Sequence, residues 1–147
     1  MELSNKIALV TGSASGIGAA AAAAMAAEGA ELILLDRASE RLYQIAEALR
    51  ANGSKVTTIV ADIADEAQMQ AAFAQIGSEH GRLDVVFANA GINGVWAPIE
   101  ELTYAEWNET QRVNLGGTFL TAHLSVPLMK EHGGSLVITS SLNGTRS

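Results

Sequence analysis

The segment Lys6-Ile-Ala-Leu-Val-Thr11 is a short apolar run of strand character, and it passes directly into Gly12-Ser-Ala-Ser-Gly16-Ile-Gly18. Behind the glycines come six alanines at 19–24. Alanine is the best helix former and lets a helix lie close to a sheet, so this run reads as structural. Strand, glycine-rich turn and helix in immediate succession leave the chain few options. The helix must pack back on the strand it has just left, which is the opening of a crossover between parallel strands.

The rest of the chain repeats that unit. Apolar runs of strand length occur at 7–10, 32–35, 56–60, 85–88 and 136–139. They are continuous rather than alternating, as expected when helices cover both faces of a sheet. Helices are predicted between them. The first spans 16–28 and stops at Gly29. The second spans 39–51, with Ser39 as N-cap and Asn52-Gly53 at its end. The third spans 66–79 and ends at His80-Gly81. The fourth is long, 103–131, ended by Gly133-Gly134, with Thr103 and Glu106 in capping-box spacing and Pro127 weakening its last turns. The pattern predicts one α/β domain over 1–147, a doubly wound parallel sheet (Rossmann fold) of five strands in the order 3-2-1-4-5.

Composition narrows the function. With 48% apolar and 17% charged residues the chain is globular. A net charge of −7 without a basic stripe argues against nucleic acid as a partner. No apolar run reaches membrane-spanning length, and Met1-Glu-Leu-Ser-Asn-Lys6 does not read as a signal peptide. Cysteine is absent, which rules out disulfides and thiolate metal sites within the chain and agrees with the cytoplasm, where we expect it. The three histidines, His80, His123 and His132, lack metal-like spacing, so no metal is expected.

A helix N-terminus presents unpaired N–H groups and a partial positive charge, and so attracts phosphate. Close approach of backbone to a pyrophosphate requires small residues, a reason for Gly12, Gly16 and Gly18. Ser13 and Ser15 add hydroxyl donors. Asp36 stands at the end of the second strand, eighteen residues past Gly18, where a carboxylate can accept hydrogen bonds from an adenosine ribose diol. Its charge would repel a 2′-phosphate, which favours NAD over NADP. Arg37 beside it could accommodate that phosphate. Asp36 could also be a plain strand-end turn residue.

With these pieces in place the sequence resembles the short-chain dehydrogenase/reductase family. The spacing TGxxxGxG, Thr11 to Gly18 with Ile17 before the last glycine, is similar to that family's form of the turn. Ala61-Asp62-Ile63 resembles its segment after the third strand, where the Asp side chain contacts adenine; Asp62 could equally cap a short turn. Asn89-Ala90-Gly91 resembles its cofactor-lining motif after the fourth strand, although the Asn89 amide could also tie strand ends together. Asn114, in Arg-Val-Asn-Leu-Gly, resembles its catalytic asparagine, whose amide would hold a water in a proton relay. Gly116-Gly117 just beyond it reads as a place of close approach. Thr139-Ser140-Ser141 followed by Gly144 resembles its active-site serine segment; the three-residue spacing to Gly144 selects Ser141, with Ser140 as structural neighbour.

The resemblance implies hydride transfer between a nicotinamide cofactor and a small-molecule alcohol or carbonyl substrate, with Ser141 hydrogen-bonded to the substrate oxygen. It also implies a Tyr-x-x-x-Lys pair after the serine. Tyr43 is followed at four residues by Glu47 and Tyr104 by Asn108, so neither matches. We therefore expect the chain to be the cofactor-binding part of a longer enzyme, a homodimer or homotetramer when full length. The remainder would cover an apolar helix face that includes Phe119, Leu120 and Leu124. The competing reading is a non-catalytic NAD-binding module, a redox sensor or oligomer component; Ser141 and Asn114 argue against it. An epimerase or dehydratase is disfavoured by the glycine spacing and the serine segment. Trp96 and Trp107 read equally as pocket walls or core, and Asn143 and Arg146 follow the serine without a clear role.

Overall fold

The structure of the protein, a computed structural model, describes residues 1–141. Asn143, Gly144 and Arg146 lie outside the described residues. Five parallel strands form one sheet: β1 (Ile7–Thr11), β2 (Glu31–Asp36), β3 (Val56–Val60), β4 (Val85–Ala88) and β5 (Ser135–Ile138). Their spatial order is β3-β2-β1-β4-β5, as the sequence predicts. Leu9 stands level with Ile33 on one side and Val86 on the other.

The continuous apolar runs supply both faces. Ala8, Val10, Leu32 and Leu34 point to one face, where they pack with Ala22 of α1 (Gly16–Ala27) and Leu42 and Ala46 of α2 (Ser39–Ala51). Leu9, Ile33, Leu35 and Val86 point to the other, against Met69, Phe73 and Ile76 of α3 (Glu66–His80). Met129 of α5 (Thr118–Met129) joins that second core. Fully burying an aliphatic side chain stabilises by about 1.5–3 kcal/mol, so these two layers dominate the fold's stability. The crossover from β1 packs on the first face and the helices after β4 on the second. The crevice beyond the carboxyl ends of β1 and β4 is thus the topological switch point, where ligands of such sheets bind.

The start of the sheet is clamped by Asp84, 8% exposed. Its carboxylate accepts from the Ile7 backbone N–H at 2.9 Å, Lys6 Nζ at 3.3 Å and Arg82 Nε at 3.2 Å. Burial acts to raise its pKa, but the hydrogen bonds from Ile7, Lys6 and Arg82 outweigh it, and the carboxyl titrates below its ordinary value.

One helix end differs from the sequence reading, and the third helix stops at His80-Gly81 as expected. Ser39 is the first residue of α2, and Ala38 holds the cap position without a side-chain bond. The third helix is capped by Asp65, whose side chain accepts from the Gln68 N–H at 3.0 Å, and is closed by Gly81 in the left-handed conformation. The Thr103–Glu106 capping box is formed as expected.

The long helix is the larger correction. It is α4 (Tyr104–Gln111), a π-helical turn over Arg112–Gly117, and then α5. A π turn carries a residue more than an α turn and is often found at functional sites. Asn114, Gly116 and Gly117, poor helix formers, all fall inside it. Gly117 is pressed against the loop after β3: a Cβ there would lie 2.5 Å from Ile63 Cδ1. The close approach expected of the glycine pair is thus made at Gly117.

Candidate active site

A cleft of about 860 Å³ opens at the switch point. It is lined by Gly12, Ser15, Gly16 and Ile17 of the glycine turn, Asp36 and Arg37 after β2, and Asp62 and Ile63 after β3. Asn89, Ala90 and Gly91 after β4, Asn114 in the π turn, and Ser140 and Ser141 after β5 complete it. Six separate chain segments therefore converge on one space, which falls within the usual size of small-molecule sites.

The glycines of the turn have different jobs. A Cβ on Gly18 would run into the Gly12 carbonyl oxygen and sit 2.8 Å from Asn89 Nδ2. Gly18 is therefore small for the sake of the protein's own packing, and it is absent from the cleft wall. A Cβ on Gly12 would lie 2.8 Å from Ala90 Cα, so the turn after β1 touches the segment after β4 directly. Gly16 has φ +51° and nothing within 4 Å of its would-be Cβ. It faces open space at the head of α1.

Ser13 departs from expectation. It is fully buried, and its hydroxyl donates to the Leu35 carbonyl at 3.3 Å. It braces the turn against β2 and leaves the cleft to Ser15. Ser15 is the N-cap of α1 and makes no side-chain cap bond, and the first turn holds no acidic residue. The first turn of α1 thus brings neither a side-chain cap nor an acidic residue of its own to the helix dipole.

Asp36 is both wall and brace. One carboxylate oxygen accepts from the Ala14 N–H at 3.0 Å and the other from the Ala38 N–H at 2.9 Å. Each oxygen keeps a further lone pair for a ligand. Asp62 accepts from the Ala64 N–H at 3.0 Å, a short turn of the kind anticipated, and from Arg112 Nη2 at 3.4 Å.

Asn89 ties strand ends together, and it lines the cleft as well. Its Nδ2 donates to the Thr11 carbonyl at 3.2 Å and its Oδ1 accepts from Thr139 Oγ1 at 3.0 Å, joining β1 to the end of β5. The Thr11 hydroxyl accepts from the N–H groups of Asn89 and Ala90 at 3.0 and 3.1 Å. In the sequence Thr11 stands only as the first letter of the turn motif; its bracing role needs the β1–β4 pairing to be seen.

Asn114 also differs in detail. Its Oδ1 accepts from the Ile92 N–H and its Nδ2 donates to the Ile92 carbonyl, both at 2.8 Å. The amide is committed to the loop after β4, pinning it to the π turn, and its own carbonyl accepts from Thr118 Oγ1 at 2.7 Å. Both ends of the amide are thus bonded within the chain. Trp96 and Trp107 are exposed and belong to neither core nor cleft wall. Phe119 is exposed as expected, whereas Leu124 packs on the core beneath α5.

The family model for short chain dehydrogenases matches residues 6–147. The chain belongs to this family. Its relatives include levodione reductase of Leifsonia aquatica, 40% identical over 145 residues, covering 97% of this chain and 54% of the relative. Among solved members, NAD+-bound xylitol dehydrogenase superposes with a TM-score of 0.96 at 27% identity, covering all of this chain and 57% of that one. L-sorbose reductase of Gluconobacter frateurii, complexed with NADPH and L-sorbose, gives 0.90 at 30% identity over 97% of this chain and 54% of that one. The chain thus spans about half the length of the relatives it matches. Short-chain dehydrogenases bind nicotinamide cofactors, and these two solved members carry one of each kind.

The cleft fits such a cofactor on its own geometry. An open glycine with left-handed backbone stands at an uncapped helix start, and acidic side chains stand 20 and 46 residues past Gly16 at neighbouring strand ends. Among the described residues no group of three or more acidic or histidine side chains could hold a metal ion. No helix among them is long and apolar enough to cross a membrane.

Proposed function

We propose that the full-length protein is an NAD-dependent oxidoreductase acting on the CH–OH or C=O carbon of a small-molecule alcohol or carbonyl compound. The observation that carries this is the single cleft with Asp36 and Asp62 at one end and Asn114 and Ser141 at the other. A pure binding module would need only the first end.

A bound nicotinamide would donate or accept the hydride; the protein's part is binding, orientation and proton management. Gly12, Ser15, Gly16, Ile17 and the head of α1 hold the pyrophosphate. Asp36 accepts from the adenosine ribose diol, and its charge disfavours a 2′-phosphate, the basis for NAD over NADP. Arg37, exposed beside it, is the feature on which NADP use would rest. Asp62 and Ile63 receive the adenine. Asn89, Ala90 and Gly91 shape the floor under the nicotinamide half. Asn114 holds the loop at Ile92 in place. Ser141 hydrogen-bonds the substrate oxygen and stabilises charge developing there.

The acid–base pair, a tyrosine with a lysine four residues on, is sought in the remainder of the longer protein, since Tyr43 and Tyr104 lie away from the cleft wall. We read the full-length protein as a cytoplasmic homodimer or homotetramer. The lack of cysteine and the exposed Trp107, Phe119 and Val126 along α4 and α5 support that reading. The test is an NADH fluorescence titration of the full-length protein, followed by a panel of secondary alcohols and ketones. Saturable NADH binding with turnover of at least one compound is expected. Absence of NADH binding refutes the proposal; binding without any turnover favours the sensor.

A further inference from the structure

We propose that Arg112 is a positioning residue for the adenine end of the cleft, locking the turn after β3 to the π turn that carries Asn114. The inference rests on the cofactor reading above.

The guanidinium is used on two sides. On its own helix, Nε donates to Glu109 Oε2 at 2.8 Å and Nη2 to Glu109 Oε1 at 2.9 Å, a two-point fork. Across the cleft edge, Nη1 donates to the Ala64 carbonyl at 3.0 Å and Nη2 reaches Asp62 Oδ2 at 3.4 Å. Glu109 fixes the plane of the guanidinium, and the fixed plane then holds a turn some fifty residues earlier in the chain.

That turn is the one that presents Asp62 to the cleft. Asp62 is held at both carboxylate oxygens, one by Ala64 and one by Arg112, and its N–H donates to Gln68 Oε1 at 2.9 Å. Between Asp62 and Ala64, Ile63 is seated against Gly117, the last residue of the π turn. Arg112 opens the π turn and Gly117 closes it. Both ends of this one irregular turn therefore grip the adenine-side turn, and Asn114, between them, grips the nicotinamide-side loop at Ile92.

Stability is not a sufficient reason for this arrangement. The Arg112 side chain is 43% exposed, and exposed ion pairs contribute little to folding. What the fork supplies is order before binding: a turn already held in place does not have to be immobilised when the ligand arrives. Only a planar, many-donor group can hold Glu109, Ala64 and Asp62 together; a lysine ammonium is a point charge.

The experiment uses the full-length protein and two probes, ADP-ribose for the adenine end and reduced nicotinamide mononucleotide for the other. Arg112→Gln is expected to weaken ADP-ribose about five- to tenfold, with nicotinamide mononucleotide within about twofold of the parent. Arg112→Lys, which keeps the charge and a pairing with Glu109, is expected to show a loss of the same order on ADP-ribose. Asp62→Asn combined with Arg112→Gln should lose less than the product of the two single losses, because the contact between the two side chains is removed in each. ADP-ribose affinity within twofold in Arg112→Gln, equal losses on both probes, or fully multiplicative losses in the double variant would each overturn the proposal. A parent protein that binds neither probe overturns the cofactor reading itself, and is recognised before any variant is made.

Discussion

Replacing Asp36 by alanine separates the two jobs of that carboxylate. Without ligand, the change strands two backbone N–H groups. Ala38 is exposed, so water takes over at little cost. Ala14 is 5% exposed, and its N–H is left unpaired in a dry turn. An unsatisfied buried donor costs about 1–3 kcal/mol. In a protein of this size each kcal/mol lowers the melting temperature by about 2–4 °C. With ligand, the loss of hydrogen bonds from a ribose diol to a charged acceptor adds about 1.5–3 kcal/mol, or roughly 10- to 150-fold in Kd for NAD. NADP offers a phosphate in place of one hydroxyl, and loss of the negative charge opposes its binding less. Its Kd should stay within about threefold or fall, because the removed repulsion offsets the loosened turn. The assay is NADH and NADPH fluorescence titration beside apo-protein calorimetry on the full-length protein. The preference ratio should drop about tenfold or more. If both cofactors weaken by the same factor while the melting temperature falls, Asp36 acts through Ala14 alone and the ribose assignment is wrong.

Other expectations follow from single contacts. The carboxyl of Asp84 titrates below its ordinary value of 3.8 in the fold, so the stability it supplies is fully present above that value and is lost as pH falls through the lower folded pKa. Asp84→Asn should cost about 1–3 kcal/mol at neutral pH and flatten the fall in urea midpoint below the ordinary aspartate pKa; an unchanged acid limb would refute the clamp. Gly18→Ala should cost about 1–3 kcal/mol or more in urea unfolding, because the obstruction is the Gly12 carbonyl, part of the backbone, rather than a flexible side chain. Asn114→Ala should release the Ile92 amide, seen as a rise in hydrogen exchange at that residue with the exchange of β1 unchanged; continued protection of Ile92 would count against the pin.

Much of this was legible from residues because the dominant signals are local. Short continuous apolar runs such as Leu32 to Leu35, bounded by turn residues, read as strands buried on both faces, and glycines between a strand and a helix mark the start of the crossover. The Thr103–Glu106 pair announces its own helix start. What stayed hidden depends on contacts across the chain. A π turn disturbs helical periodicity by one residue, too little to see among Asn114, Gly116 and Gly117 without a partner to explain it. The inward turn of Ser13 follows from the backbone angle at Gly12, φ +68°, which no side-chain pattern reports. Arg112 takes its role from Asp62, fifty residues before it, which only the fold brings beside it. Asn89 was legible as a choice between brace and wall, and it serves as both because strand ends and cleft are the same place.

The contact between Gly12 and Ala90 has a consequence for synthesis. β2 and β3 extend the sheet to one side of β1 and leave the ribosome early; β4 must then settle on the other side. Until it does, the glycine turn lacks the wall at Ala90 and the hydrogen bonds between Thr11 and Asn89. A nascent chain would therefore gain its nucleotide affinity in a step, when the segment after β4 clears the exit tunnel, and from then on the ligand itself would favour the folded form of a domain still being made.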